Sequence, residues 1–140
     1  MKIRYQIFET INLGIFQFVG DWSTSSVKTF IIKLNNEPDF NIAQNVFIDF
    51  RKINVRPEIG DIQELIDFRI KIIPKKHKIA HLVDTPIATV RSHLYLEGLN
   101  LAGFKGRYFS TMEQALNFLG LGLTTFEMEI ILKNLMYQFE

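Results

Sequence analysis

Two short apolar runs constrain this chain more than anything else in it. "NVFIDF" (45–50) and "IAHLV" (79–83) are mostly hydrophobic and bounded by polar residues. Runs of this kind suit strands covered on both faces, as in a parallel sheet. Between them Ile59, Ile62, Leu65, Ile66, Arg69 and Ile73 recur at helical spacing, and Pro74 ends the stripe. Strand, helix and strand in that order imply a right-handed crossover with the helix lying on the sheet.

The flanking segments extend this pattern. "IRYQIFE" (3–9) alternates apolar and polar residues, and "LGIFQFV" (13–19) follows after a turn at Asn12, which predicts an antiparallel hairpin. Val27, Phe30, Ile31 and Leu34 make one helical stripe, capped by Asp21 or Ser23 and stopped by Asn35 and Asn36 before Pro38. A helix over about 86–99 is expected to turn Ile87, Val90 and Leu94 inward and to exit through Gly98 and Gly103. "GRYF" (106–109) reads as a brief strand. In "STMEQALNFLG", Ser110 and Glu113 match a capping box, Met112, Ala115, Leu116 and Leu119 form the stripe, and Gly120 ends it. "TTFEMEIILKNLMYQF" (124–139) predicts one last helix, capped by Thr124 or Thr125.

The expected order is therefore β β α β α β α β α α. It predicts a single α/β domain over residues 1–140, with a core over about 1–121 and a helical addition over about 124–139. The sheet is expected to be mixed, with a largely parallel inner part.

This order resembles the STAS domain superfamily, in particular its small stand-alone bacterial SpoIIAA-like branch. The residues that carry the resemblance are "NVFIDFRKI" as central strand, "KIAHLVDTP" as the next strand with its exit, and "GRYFSTMEQALNFLGL" as the last strand and helix. It covers about residues 1–121. It implies a SpoIIAA-like fold and a regulatory, non-catalytic role in protein contacts. Phosphorylatable relatives follow the acid of the central strand with a serine or threonine. Here Asp49 is followed by Phe50, Arg51 and Lys52, and no hydroxyl residue occurs between Asn45 and Leu82. The resemblance does not extend to that phospho-switch.

Composition narrows the function classes. Lys and Arg number 16 against 15 Asp and Glu, a net charge of +1, so a dedicated nucleic-acid binder is not expected. There is no cysteine, which excludes disulfides and thiolate chemistry. "MKIRYQIFET" lacks an apolar signal-peptide core, and no apolar run approaches the roughly 18 residues of a membrane span. A cytoplasmic protein without stable membrane insertion is expected. His77 and His81 lie four apart, but on a strand that spans roughly 13 Å, too far for one metal ion. No nucleophile motif, phosphate loop or paired-carboxylate arrangement occurs. The expectation is no enzyme, no catalytic residue, no metal and no cofactor.

Two candidate sites remain. Ligands of parallel sheets bind beyond the carboxyl ends of the strands. Asp49, Arg51, Asp84, Thr85 and Ser110 fall in connections there and make a candidate ligand or partner edge, although Asp84, Thr85 and Ser110 also suit helix caps. "KKHK" (75–78) and "KGR" (105–107) fall at the opposite edge and read as solvated loops. "STSS" (23–26) offers either a helix cap or an anion site. The last helix has more apolar residues than one face needs. Its stripe of Met128, Ile131, Leu132, Leu135 and Phe139 is the candidate dimer face, unless one chain buries the helix on both sides. A cavity between sheet and helices holding a small apolar or lipid-like ligand is the alternative function.

Overall fold

The computed structural model describes all 140 residues. Its strands are β1 (Lys2–Phe8), β2 (Leu13–Asp21), β3 (Asn45–Asn54), β4 (Lys78–Leu82), β5 (Lys105–Phe109) and β6 (Tyr137–Phe139). Its helices are α1 (Thr24–Asn35), α2 (Pro38–Ile42), α3 (Ile62–Ile72), α4 (Pro86–Leu101), α5 (Met112–Leu119) and α6 (Thr125–Lys133). One six-stranded sheet runs in the order β5-β4-β3-β2-β1-β6. β2 to β5 are mutually parallel, and β1 is antiparallel to both β2 and β6. This is an α/β protein with a mixed sheet, and its inner part is parallel as expected.

The hairpin forms because β1 alternates and Asn12 accepts the left-handed conformation at φ 57° that ends the intervening 3-10 turn over Glu9–Ile11. β2 and β3 pair in parallel, Leu13 opposite Asn45, until the register shifts. Gln17 lies opposite Asp49, but Val19 lies opposite Lys52, so β3 carries one extra residue there. That bulge bends β3 and turns Ile53 back to the face of Val46 and Phe50.

The sheet separates two apolar cores. On one face, α1, α3 and α4 bury Val27, Phe30, Leu65, Ile66, Leu96 and Leu99 against Phe16, Phe18, Val46 and Ile79. On the other, α5 and α6 bury Leu116, Leu119, Met128 and Leu132 against Leu13, Ile15, Phe47, Ala80 and Leu82. Alternate residues of β3 and β4 serve opposite cores, which is why both read as near-continuous apolar runs. Burying one such Phe or Leu contributes about 1.5–3 kcal/mol.

Several local expectations change in the tertiary fold. The capping box belongs to α6, where Thr124 Oγ1 accepts from Glu127 N at 3.1 Å and Glu127 returns the bond to Thr124 N. α5 is capped by Thr111 rather than Ser110. Ile87 and Val90 of α4 face solvent, at 39% and 52% exposure, and the inward face is Ala88, Arg91, Ser92, Leu96 and Leu99. α2 was not expected; Pro38 starts it and Phe40 fills the first core. The predicted final helix is two elements. It stops at Lys133, and residues 137–139 add β6 to the free edge of β1.

Candidate functional site

A cavity of about 120 Å³ lies in the first core, between the sheet and α1, α3 and α4. Of its 22 lining residues 18 are hydrophobic, so the four polar ones decide what it can hold. They are Arg69, His81, Arg91 and Ser92.

Arg69 comes from the last turn of α3 and is buried. Its guanidinium donates to the carbonyls of Ile73 and Lys75 and, at 2.9 Å, to His77 Nδ1. An arginine only donates, so His77 carries its proton on Nε2 and gives it to Phe40 O at 3.0 Å. His77 is fully buried, so "KKHK" is not wholly a solvated loop. Burial drives the His77 pKa down to about 4, against the opposing hydrogen bond to Phe40 O, and the Arg69 charge lowers it further.

Arg91 reaches the end of the cavity beyond the carboxyl ends of the strands. It forms a two-pronged pair with Asp61, at 3.0 and 2.7 Å, and also donates to Glu58 O. Asp61 accepts from Thr24 Oγ1 at 2.7 Å and Trp22 Nε1 at 3.2 Å. Burial raises the Asp61 pKa, but the hydrogen bonds from Arg91 and Thr24, the Arg91 charge and Trp22 outweigh it and bring it down to about 2. Ser23 caps α1 by accepting from Ser26 N, so the "STSS" stretch is a cap and a brace for Asp61.

His81 stands on β4 between Phe50, edge-on at 4.8 Å, and Tyr95, near-parallel at 6.1 Å. Its Nδ1 lies 2.9 Å from Ser92 Oγ on α4. Its Nε2 is buried and has no partner; no other buried side-chain nitrogen or oxygen is left in that state. Burial lowers the His81 pKa to about 3, so the ring is neutral near pH 7.

The five residues of the expected edge are differently placed. Asp49 is wholly buried and faces the second core, while Asp84, Thr85 and Ser110 are exposed. Asp49 accepts from Gln17 Nε2 at 3.1 Å and from Arg51 through Nε at 2.9 Å, Nη2 at 3.0 Å and the backbone N at 3.0 Å. Arg51 continues to Glu129 of α6 at 2.9 Å. Arg4 joins Gln17 to the carbonyls of Leu132 and Lys133, satisfying the end of α6. Asp49 and Arg51 therefore dock α6 rather than offer an edge. Thr85 caps α4 by accepting from Ala88 N. Ser110 sits on a shallow groove with Arg107 and Gln114, apart from the cavity.

The proposed dimer stripe is also redistributed. Met128, Leu132 and Leu135 are buried in the second core, and Ile131 packs beside them. Phe139 belongs to β6 and meets Phe30 of the first core at 5.1 Å. One chain thus uses that stripe itself. The residues left exposed are Phe126, Ile130, Met136 and Tyr137.

Sequence reasoning missed His81, Ser92 and Arg91 as cavity residues. A signal was present: Ala88, Ser92, Leu96 and Leu99 recur at helical spacing, but Ser92 and Arg91 break its apolar character. No helix is long and apolar enough to cross a membrane, and no group of three or more His, Asp or Glu could hold a metal. No protein-family model matches the chain, and no match to it is found among curated proteins.

Proposed function

We propose that this protein is a non-catalytic carrier or sensor that holds a small apolar ligand between its sheet and α1, α3 and α4. The observation that carries this reading is the cavity itself: about 120 Å³, almost wholly apolar, and lined by a histidine, His81, whose Nε2 has no partner. Native cores are packed to crystal-like density, and a void of this size costs stability unless something fills it. Dry apolar cavities of about 150 Å³ bind benzene. A SpoIIAA-like fold is part of the proposal. It is supported by the hairpin leading into parallel βα units, and the additional β6 stands outside that resemblance.

Amide resonances followed during a toluene titration test the reading. Shifts confined to the cavity wall, around Ile48, Phe50 and Ser92, are expected, and Ala88→Phe should abolish them by filling the space. If toluene moves no cavity resonance and native mass spectrometry shows no co-purifying small molecule, the reading fails.

A second reading has its own observation. Phe126 and Ile130, one turn apart on α6, are 74% and 45% exposed, which supports a STAS-like interaction module that pairs with another protein or a second copy. Sedimentation at micromolar concentration tests the homodimer, and a strict monomer ends that part.

A further inference from the structure

We propose that His81 Nε2–H donates a hydrogen bond to an oxygen of the ligand, so that the cavity selects a compact, largely apolar molecule bearing an acceptor oxygen. This deepens the ligand-holding reading above and rests on it.

The argument begins with the proton count at His81. The Ser92 hydroxyl has one hydrogen, and the only acceptor within reach is His81 Nδ1, at 2.9 Å. A buried hydroxyl proton needs an acceptor. Ser92 therefore donates to Nδ1, and the neutral imidazole carries its hydrogen on Nε2. That leaves a buried N–H donor with nothing to meet, in a ring that lines the cavity and is 2% exposed. Phe50 and Tyr95 hold the ring from two sides and Nε2 has no open surface, so a ligand oxygen reaches it by displacing a neighbouring side chain of the wall. An oxygen delivered by the ligand satisfies the donor.

The other polar residues bear on the charge the ligand can carry. Arg69 is engaged by two carbonyls and His77, and Arg91 by Asp61 and Glu58 O. Asp61 balances the charge of Arg91, whereas Arg69 meets only neutral acceptors, so the wall is compatible with a neutral or an acidic oxygen. The rest of the wall is apolar apart from the Tyr95 hydroxyl and Trp22 Nε1, the latter already bonded to Thr24 and Asp61. A ketone, ether or small alcohol fits that chemistry.

Cyclopentanone and methylenecyclopentane test it, because they share one shape and differ in the acceptor oxygen. Dissociation constants for both are measured by NMR titration in the wild type and in His81→Phe. The ratio of ratios removes their different hydration. One neutral hydrogen bond predicts that the ketone is favoured about three- to tenfold in the wild type relative to the variant. The His81 Nε2 resonance of the wild type should move with the ketone and not with the alkene, a readout that stands even if the variant does not fold. Equal ratios with an unmoved Nε2 resonance, while both probes bind, overturn the His81 assignment and leave the cavity reading standing. Failure of both probes to bind overturns the two together.

Discussion

Lowering the pH from 7 to 5 is expected to cost this fold about 4 kcal/mol, through two buried histidines. His77 and His81 hold folded-state pKa values of about 4 and about 3, below the ordinary value of 6.5. The cause is mainly burial, which penalises the charged ring. The sign follows from which state binds the proton first. As pH falls through 6.5 the unfolded chain protonates both rings, while the folded chain protonates neither until about pH 4. Stability therefore falls with pH in that window and is unaffected by these groups above about pH 7. Each histidine costs about 1.4 kcal/mol per pH unit once below 6.5, or about 2 kcal/mol at pH 5. Asp61 acts in a separate window. Its pKa of about 2 lies below the ordinary 3.8, so its contribution persists down to about pH 4 and is lost only below it. A loss of about 4 kcal/mol is large against a typical total of about 5–15 kcal/mol. Urea unfolding followed by the fluorescence of Trp22 measures it. With an m-value near 2 kcal/mol/M, the midpoint should fall by about 2 M between pH 7 and pH 5. An unchanged midpoint, or two imidazoles that titrate near 6.5 in the folded protein, would refute the reasoning.

Other perturbations address the opposite core. Asp49→Ala leaves Arg51 and Gln17 without their acceptor under α6, and a loss of about 3 kcal/mol is expected. Hydrogen exchange should then speed first in α6 and β6; uniform protection there would show that the network does not hold them. Gly120 ends α5 at φ 69°, with no atom near a built Cβ, so Gly120→Ala should cost about 1 kcal/mol from backbone strain alone. A melting temperature equal to the wild type's counts against that account. Thr124→Ala removes the capping box of α6 and should cost about 1 kcal/mol in urea denaturation.

The sequence was most legible where structure is local. Val27, Phe30, Ile31 and Leu34 were placed as the buried face of α1, and Met112, Ala115, Leu116 and Leu119 as that of α5, and all eight are buried. The hairpin, the parallel inner strands and the Gly120 stop follow from alternation, apolar runs and left-handed backbone preference. These signals lie within a few residues of each other, so a pattern of period 2 or 3.6 reveals them.

The candidate site was hardly legible. Charge beginning at Asp49 suggests a strand end, yet β3 runs on to Asn54, and alternation puts Asp49 on the same face as Phe47, under α6. Gln17 lies 32 residues from Asp49, and Glu129 lies 78 residues from Arg51, beyond any local rule. Ile87 and Val90 suggest the wrong face for α4, because the true inner face carries Ser92 against His81 and Arg91 against Asp61. The apolar surplus near the C-terminus was real, but two cores share it. Met128, Leu132 and Leu135 fill one, and Phe139 reaches the other through a strand pairing with residue Ile3. Periodicity says how much apolar surface an element must bury. Only the packed sheet decides against what, and whether the packing closes completely or leaves a space beside an unpartnered His81.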